Sequence, residues 1–141
     1  MLGQDRDSMR RQFAAAWAKA RAGQPLTALE HQLVDVIAAH PEYQPLLEGT
    51  PDLLQREFDP DAGEGNPFLH MGLHLAIREQ VATDRPAGIR AIHQRLTRRL
   101  GDPQAAEHQM MECLGLALWE SQRFGRPPDE LSYLHCLRRL G

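Results

Sequence analysis

The chain has 141 residues, of which 42% are hydrophobic and 25% charged, with a formal net charge of −3 at neutral pH. That size and balance fit one globular domain, and they argue against both a disordered chain and a strongly basic nucleic-acid binder. Every basic residue except Lys19 is an arginine, and there are seven histidines.

Proline and glycine divide the chain into helical segments, while valine and isoleucine are scarce. This pattern predicts an all-α protein. The first helix is expected from Ser8 to Ala22, stopped by Gly23. A second starts at Thr27, where Thr-Ala-Leu-Glu forms a capping box with Glu30, and it ends near His40 before Pro41. The stretch 41–65 is broken by prolines, with Thr50-Pro51 able to open a short helix and 59–65 reading as a loop. Asn66 caps a helix from Pro67 to about Thr83. Further helices are expected at 86–100, at 103–124 behind Asp102-Pro103, and at 128–140. The expected architecture is a single-domain helical bundle over residues 1–141, with a four-helix-like core and one or two extra short helices.

On a helical wheel the most apolar helices carry polar side chains in register. His70, His74, Ile77 and Val81 share one line of the 67–83 helix. His108, Glu112, Gly115 and Trp119 share one line of the 103–124 helix. His40 continues the apolar stripe of Leu29, Leu33, Val36 and Ile37, while His31 and Asp35 lie opposite and face solvent. Buried histidine and glutamate are costly unless bonded, paired or ligated. Two such i, i+4 pairs on facing helices would supply a shell for one divalent transition metal: Zn²⁺, Fe²⁺, Mn²⁺ or Ni²⁺. The candidate ligands are His70, His74, His108 and Glu112, with His40 as a fifth. Glu107 is a candidate partner orienting one histidine. Gly115 within a helix suggests a close approach to the backbone there. The plainer reading of the same residues is structural: each histidine satisfied by a carboxylate or a carbonyl.

Other signals are weaker. Arg90, Arg95, Arg98 and Arg99 form a basic face opposite Ile89, Ile92, Leu96 and Leu100, more consistent with a solvated face and a helix C-terminus than with phosphate contacts. Cys113 sits in an apolar run, and Cys136 is not in a CxxC pair with it. Two reduced thiols in a cytosolic protein are therefore expected, that of Cys113 inert. The N-terminus lacks the apolar stretch of a signal peptide, and no run is long enough to span a membrane. Trp17 and Trp119 read as core. The acidic, proline-rich segment 41–65 is a candidate lid or interaction surface.

The runs HPEY (40–43), NPFLHMGLH (66–74), EQVATDRP (79–86), AEHQMMECLGLALWE (106–120) and RPPDELSYLHCL (126–137) resemble a family of small proteobacterial proteins, a domain of unknown function. The resemblance covers nearly the whole chain. It implies a stand-alone bacterial cytoplasmic protein and carries no assigned activity. A looser likeness in architecture and spacing is to the metal-binding four-helix bundles of the hemerythrin and DinB-like kinds, and it transfers no function. Two readings follow: a metal-binding helical protein, with Glu112 as ligand or general base if it is an enzyme, or a metal-free interaction protein that meets a protein partner or a second copy of itself.

Overall fold

The computed structural model describes residues 2–49, 58 and 66–140. It is all-α, as the composition predicts. The helices are α1 (Leu2–Arg21), α2 (Ala28–Ala38), a 3-10 turn (Pro41–Tyr43), α3 (Gln44–Glu48), α4 (Pro67–Thr83), α5 (Ile89–Leu100), α6 (Pro103–Phe124) and α7 (Glu130–Arg138). The Thr50-Pro51 helix start and the 59–65 loop lie outside the described residues. No described helix is long and apolar enough to cross a membrane.

Local chemistry accounts for most helix ends. Thr27 and Glu30 form the expected reciprocal capping box, at 3.1 and 2.9 Å. The Asn66 side chain accepts from the amides of Phe68 and Leu69 and opens α4. Asp102 caps α6 in the same way. Gly101 and Gly125 end α5 and α6 in the left-handed region, at φ +74° and +62°, where a side chain would be strained.

Three boundaries differ from expectation. Helix α1 begins well before Ser8, at Leu2. Helix α7 starts at Glu130 because the Asp129 carboxylate, not Pro128, takes the first free amides, those of Leu131 and Ser132. Helix α5 starts at Ile89 rather than Pro86, which sits in a turn with a cis Arg85–Pro86 bond. The capping group is Asp84, whose Oδ1 accepts from the amides of Gly88 (3.2 Å) and Arg90 (3.0 Å). Asp84 adopts φ +51°, a conformation that Asp tolerates better than most residues.

The chain divides into two compact units, Met1–Met71 and Gly72–Gly141. In the first, α1 buries Phe13 and Ala16 and α2 buries Leu33, Val36 and Ile37. The buried Arg10 guanidinium lies over the Phe68 ring, 4.7 Å from its centroid. Lys19 pairs with Glu30 at 2.8 Å, and Arg21 with Glu48 at 3.2 Å. Trp17 is half-buried and donates to Glu48. Leu29, placed on the α2 stripe by the wheel, is exposed, whereas His31 and Asp35 face solvent as expected.

In the second unit four helices share one core. Helix α4 contributes Ile77; α5 contributes Ile89, Ile92 and Leu96; α6 contributes Ala106, Met110 and Leu114; α7 contributes Tyr133, Leu134 and Leu137. The buried line of α6 runs through Ala106, Met110, Cys113 and Ala117, one step away from the line holding Glu112 and Trp119, and both of those are exposed. A Cβ added at Gly115 would meet nothing, so the close approach expected there does not occur. The basic face of α5 is partly structural: Arg90 donates to the carbonyls of Val81 and Ala82 at the end of α4, and Arg95 to that of Leu140. The two cysteines, expected as free thiols, form a Cys113–Cys136 disulfide joining α6 to α7, because the packing of these helices sets their Cα atoms 5.8 Å apart.

Asp84→Ala removes an acceptor for two amides and forces alanine into the left-handed region, so it should cost about 1–2 kcal/mol in urea unfolding. Asp84→Asn keeps both properties and should cost much less.

Candidate metal centre

In the first unit the sequence HPEY builds a local histidine site. His40 follows the end of α2 with φ −129°, off the helical path, and Pro41 opens the 3-10 turn directly after it. Its side chain is buried, and Nδ1 lies 2.7 Å from Glu42 Oε1. The hydrogen bond from His40 holds the Glu42 carboxyl below its usual range. The His40 ring stacks on Tyr43, with centroids 5.0 Å and planes 18° apart. Burial, followed by the charge of Glu42, pushes the Tyr43 hydroxyl up. The edge of the imidazole pair is completed by His70, in the first turn of α4, at 4.8 Å and 86°.

In the second unit His74 is wholly buried. Its Nδ1 lies 2.7 Å from Glu107 Oε1 on α6. Arg78, one turn further along α4, shares its Nε–H between both oxygens of Glu107, at 3.2 and 3.0 Å. Burial pushes the Glu107 carboxyl up, but the bonds from His74 and Arg78 outweigh it, and the net displacement is downward. Glu107 is thus ionised at neutral pH and acts only as an acceptor. His74 therefore carries a proton on Nδ1, donated to Glu107, and turns Nε2 away from the carboxylate. That nitrogen faces His108 Nε2 at 3.0 Å, with ring centroids 4.7 Å apart.

Of the sequence-derived candidates, the structure sets His40 against His70 and His74 against His108, and it gives Glu107 the orienting contact expected of it. Glu112, one turn past His108, is exposed and is not among the grouped histidines. Glu42, Tyr43 and Arg78 were not anticipated. The signals for them were local: Glu42 and Tyr43 lie within HPEY, and Arg78 is at i+4 from His74 on the same helix face.

The fold and these contacts define an all-α protein whose buried histidines are backed by carboxylates. The model of a domain of unknown function, DUF1841, matches residues 5–139, and the chain belongs to that family. No curated protein and no solved structure matches it.

Glu107→Ala strips the acceptor from a buried histidine and from Arg78. Because Arg78 is partly solvated, the expected loss is about 2 kcal/mol rather than the larger cost of breaking a fully buried pair. Urea unfolding in the presence of a chelator measures it, and Glu107→Gln, which keeps an acceptor oxygen, should recover part of the loss.

Proposed function

We propose that this protein binds one divalent transition metal at the paired histidines His74 and His108 of the second unit. The observation that carries the reading is a repeated arrangement. His40 and His74 each have Nδ1 at 2.7 Å from a carboxylate, which turns each Nε2 away from it. Carboxylate-backed histidine is the arrangement that fixes tautomer and ring direction at protein metal sites.

The His74–His108 separation also suits an ion. Two nitrogens bound at about 2.1 Å stand about 3 Å apart at right angles and about 3.4 Å apart in a tetrahedron. The observed Nε2–Nε2 distance is 3.0 Å. Without an ion, one of the two nitrogens must carry a proton, and His108 Nε2–H donating to His74 meets that need. An ion bound there would take the place of this bond, and both Nε2 atoms would have to be unprotonated to ligate it. An all-imidazole set suits Zn²⁺, Ni²⁺ or Fe²⁺ better than Mn²⁺, which prefers oxygen donors. The charge of Glu107, one hydrogen bond from His74, would offset part of the charge of the ion.

Elemental analysis of tag-free protein supplied with Zn²⁺, Fe²⁺ or Ni²⁺ tests the proposal. The expected result is about one ion per chain. His74→Ala and His108→Ala should each abolish binding, and Glu112→Ala should leave it unchanged. Glu107→Gln should weaken affinity about 10- to 100-fold. Negligible metal in the parent protein under all three supplies would overturn the reading in favour of structural histidines in an interaction protein.

A further inference from the structure

A second chemically reactive group lies away from the histidines, in the Cys113–Cys136 disulfide between α6 and α7. Its two sulfurs are not equivalent. Cys113 is 2% exposed and belongs to the apolar core, whereas Cys136 is only partly buried. Both line a surface cleft whose other walls include Leu116, Glu120, Asp129 and Ser132. The bond can therefore be approached from solvent, and Cys136 is the more accessible end.

The cleft also has a sign. Among the described residues, Glu120 and Asp129 are its charged lining residues and no basic side chain lines it. Asp129 is held ionised by the Ser132 amide and hydroxyl and by the Leu131 amide, which pull its carboxyl below the usual range. Arg126 offsets part of that charge. A thiolate must bring one negative charge to sulfur in any case. A further negative charge on the same small molecule meets these carboxylates, while an uncharged or cationic body does not.

We propose that Cys113–Cys136 is a thiol-exchange site that selects small uncharged or cationic thiols over anionic ones. The thiolate attacks Cys136 Sγ on the side away from Cys113. A new S–S bond forms to Cys136, and the old bond breaks with its electron pair going to Cys113 Sγ, which takes a proton from solvent. A second thiolate then attacks the outer sulfur of the mixed disulfide and releases Cys136 as thiolate. The protein gains two electrons, and two small thiols become one small disulfide. The buried Cys113 thiol is a poor nucleophile, because apolar surroundings disfavour its thiolate. The adduct on Cys136 therefore persists long enough to be trapped. This inference is independent of the metal reading.

The test uses the full chain purified without reductant, at low ionic strength. Cysteamine, mercaptoethanol and mercaptoacetate provide a cationic, a neutral and an anionic thiol. Each opening rate, followed by alkylation and mass analysis, is divided by that thiol's rate with a small neutral disulfide. The normalised rate should be about fivefold higher for cysteamine and mercaptoethanol than for mercaptoacetate, the size expected of two nearby surface charges. The preference should vanish in Glu120→Gln/Asp129→Asn, in which Asn keeps the helix cap, and in about 0.5 M salt. Peptide mapping should place the first adduct on Cys136. Equal normalised rates, an adduct on Cys113, opening only in denaturant, or two free thiols in the untreated protein would each overturn the proposal.

Discussion

The arrangement of the second unit turns on one buried carboxylate. His74 has no exposure to water and Glu107 very little, so neither can be left without a partner. They satisfy one another across 33 positions of sequence, and the bonds from His74 and Arg78 together keep Glu107 ionised. That single contact ties α4 to α6, sets the tautomer of His74 and decides which nitrogen meets His108. An apolar pair in its place would hold the helices together equally well, but it would leave nothing to aim an imidazole.

The same chemistry recurs at His40 in a different setting. The Glu42 side chain is 58% exposed, whereas that of Glu107 is 9% exposed. Water screens the first contact and scarcely reaches the second, so the Glu107 contact is the stronger electrostatic tie. His40 makes up the difference through packing: the Tyr43 ring lies flat on one face and His70 meets it edge-on. One imidazole is thus oriented mainly by charge and the other largely by neighbouring rings.

Around these contacts the second unit is braced by unlike devices. The apolar core is drawn from four helices, the disulfide joins two of them, and Arg90 and Arg95 cap carbonyls that the helices leave open. Tyr133, buried in that core, still donates its hydroxyl to Gln80 at 2.6 Å. Burial without a partner would make this hydroxyl a liability, and the bond turns it into a link between α7 and α4.

Sequence alone determined the helical class, the boundaries of α4 and α6, the Thr27–Glu30 box, and the two i, i+4 lines that drew attention to His70, His74 and His108. All of these depend on interactions within a few residues, which periodicity and capping chemistry report directly. Even Glu107 was legible as a residue that could orient a histidine. The wheel failed where the outcome depended on a neighbouring helix. It put Glu112 and Gly115 on the significant line of α6, yet packing turns Glu107 inward and leaves Glu112 in water. It treated Cys113 and Cys136 as separate thiols because the distance between them is a property of how α6 meets α7. It missed Asp84 because a cap that reaches past a proline turn has no fixed spacing. Which carboxylate is buried, which nitrogen is presented and which cysteines meet were decided by tertiary structure, since each depends on surroundings assembled from segments far apart in the chain.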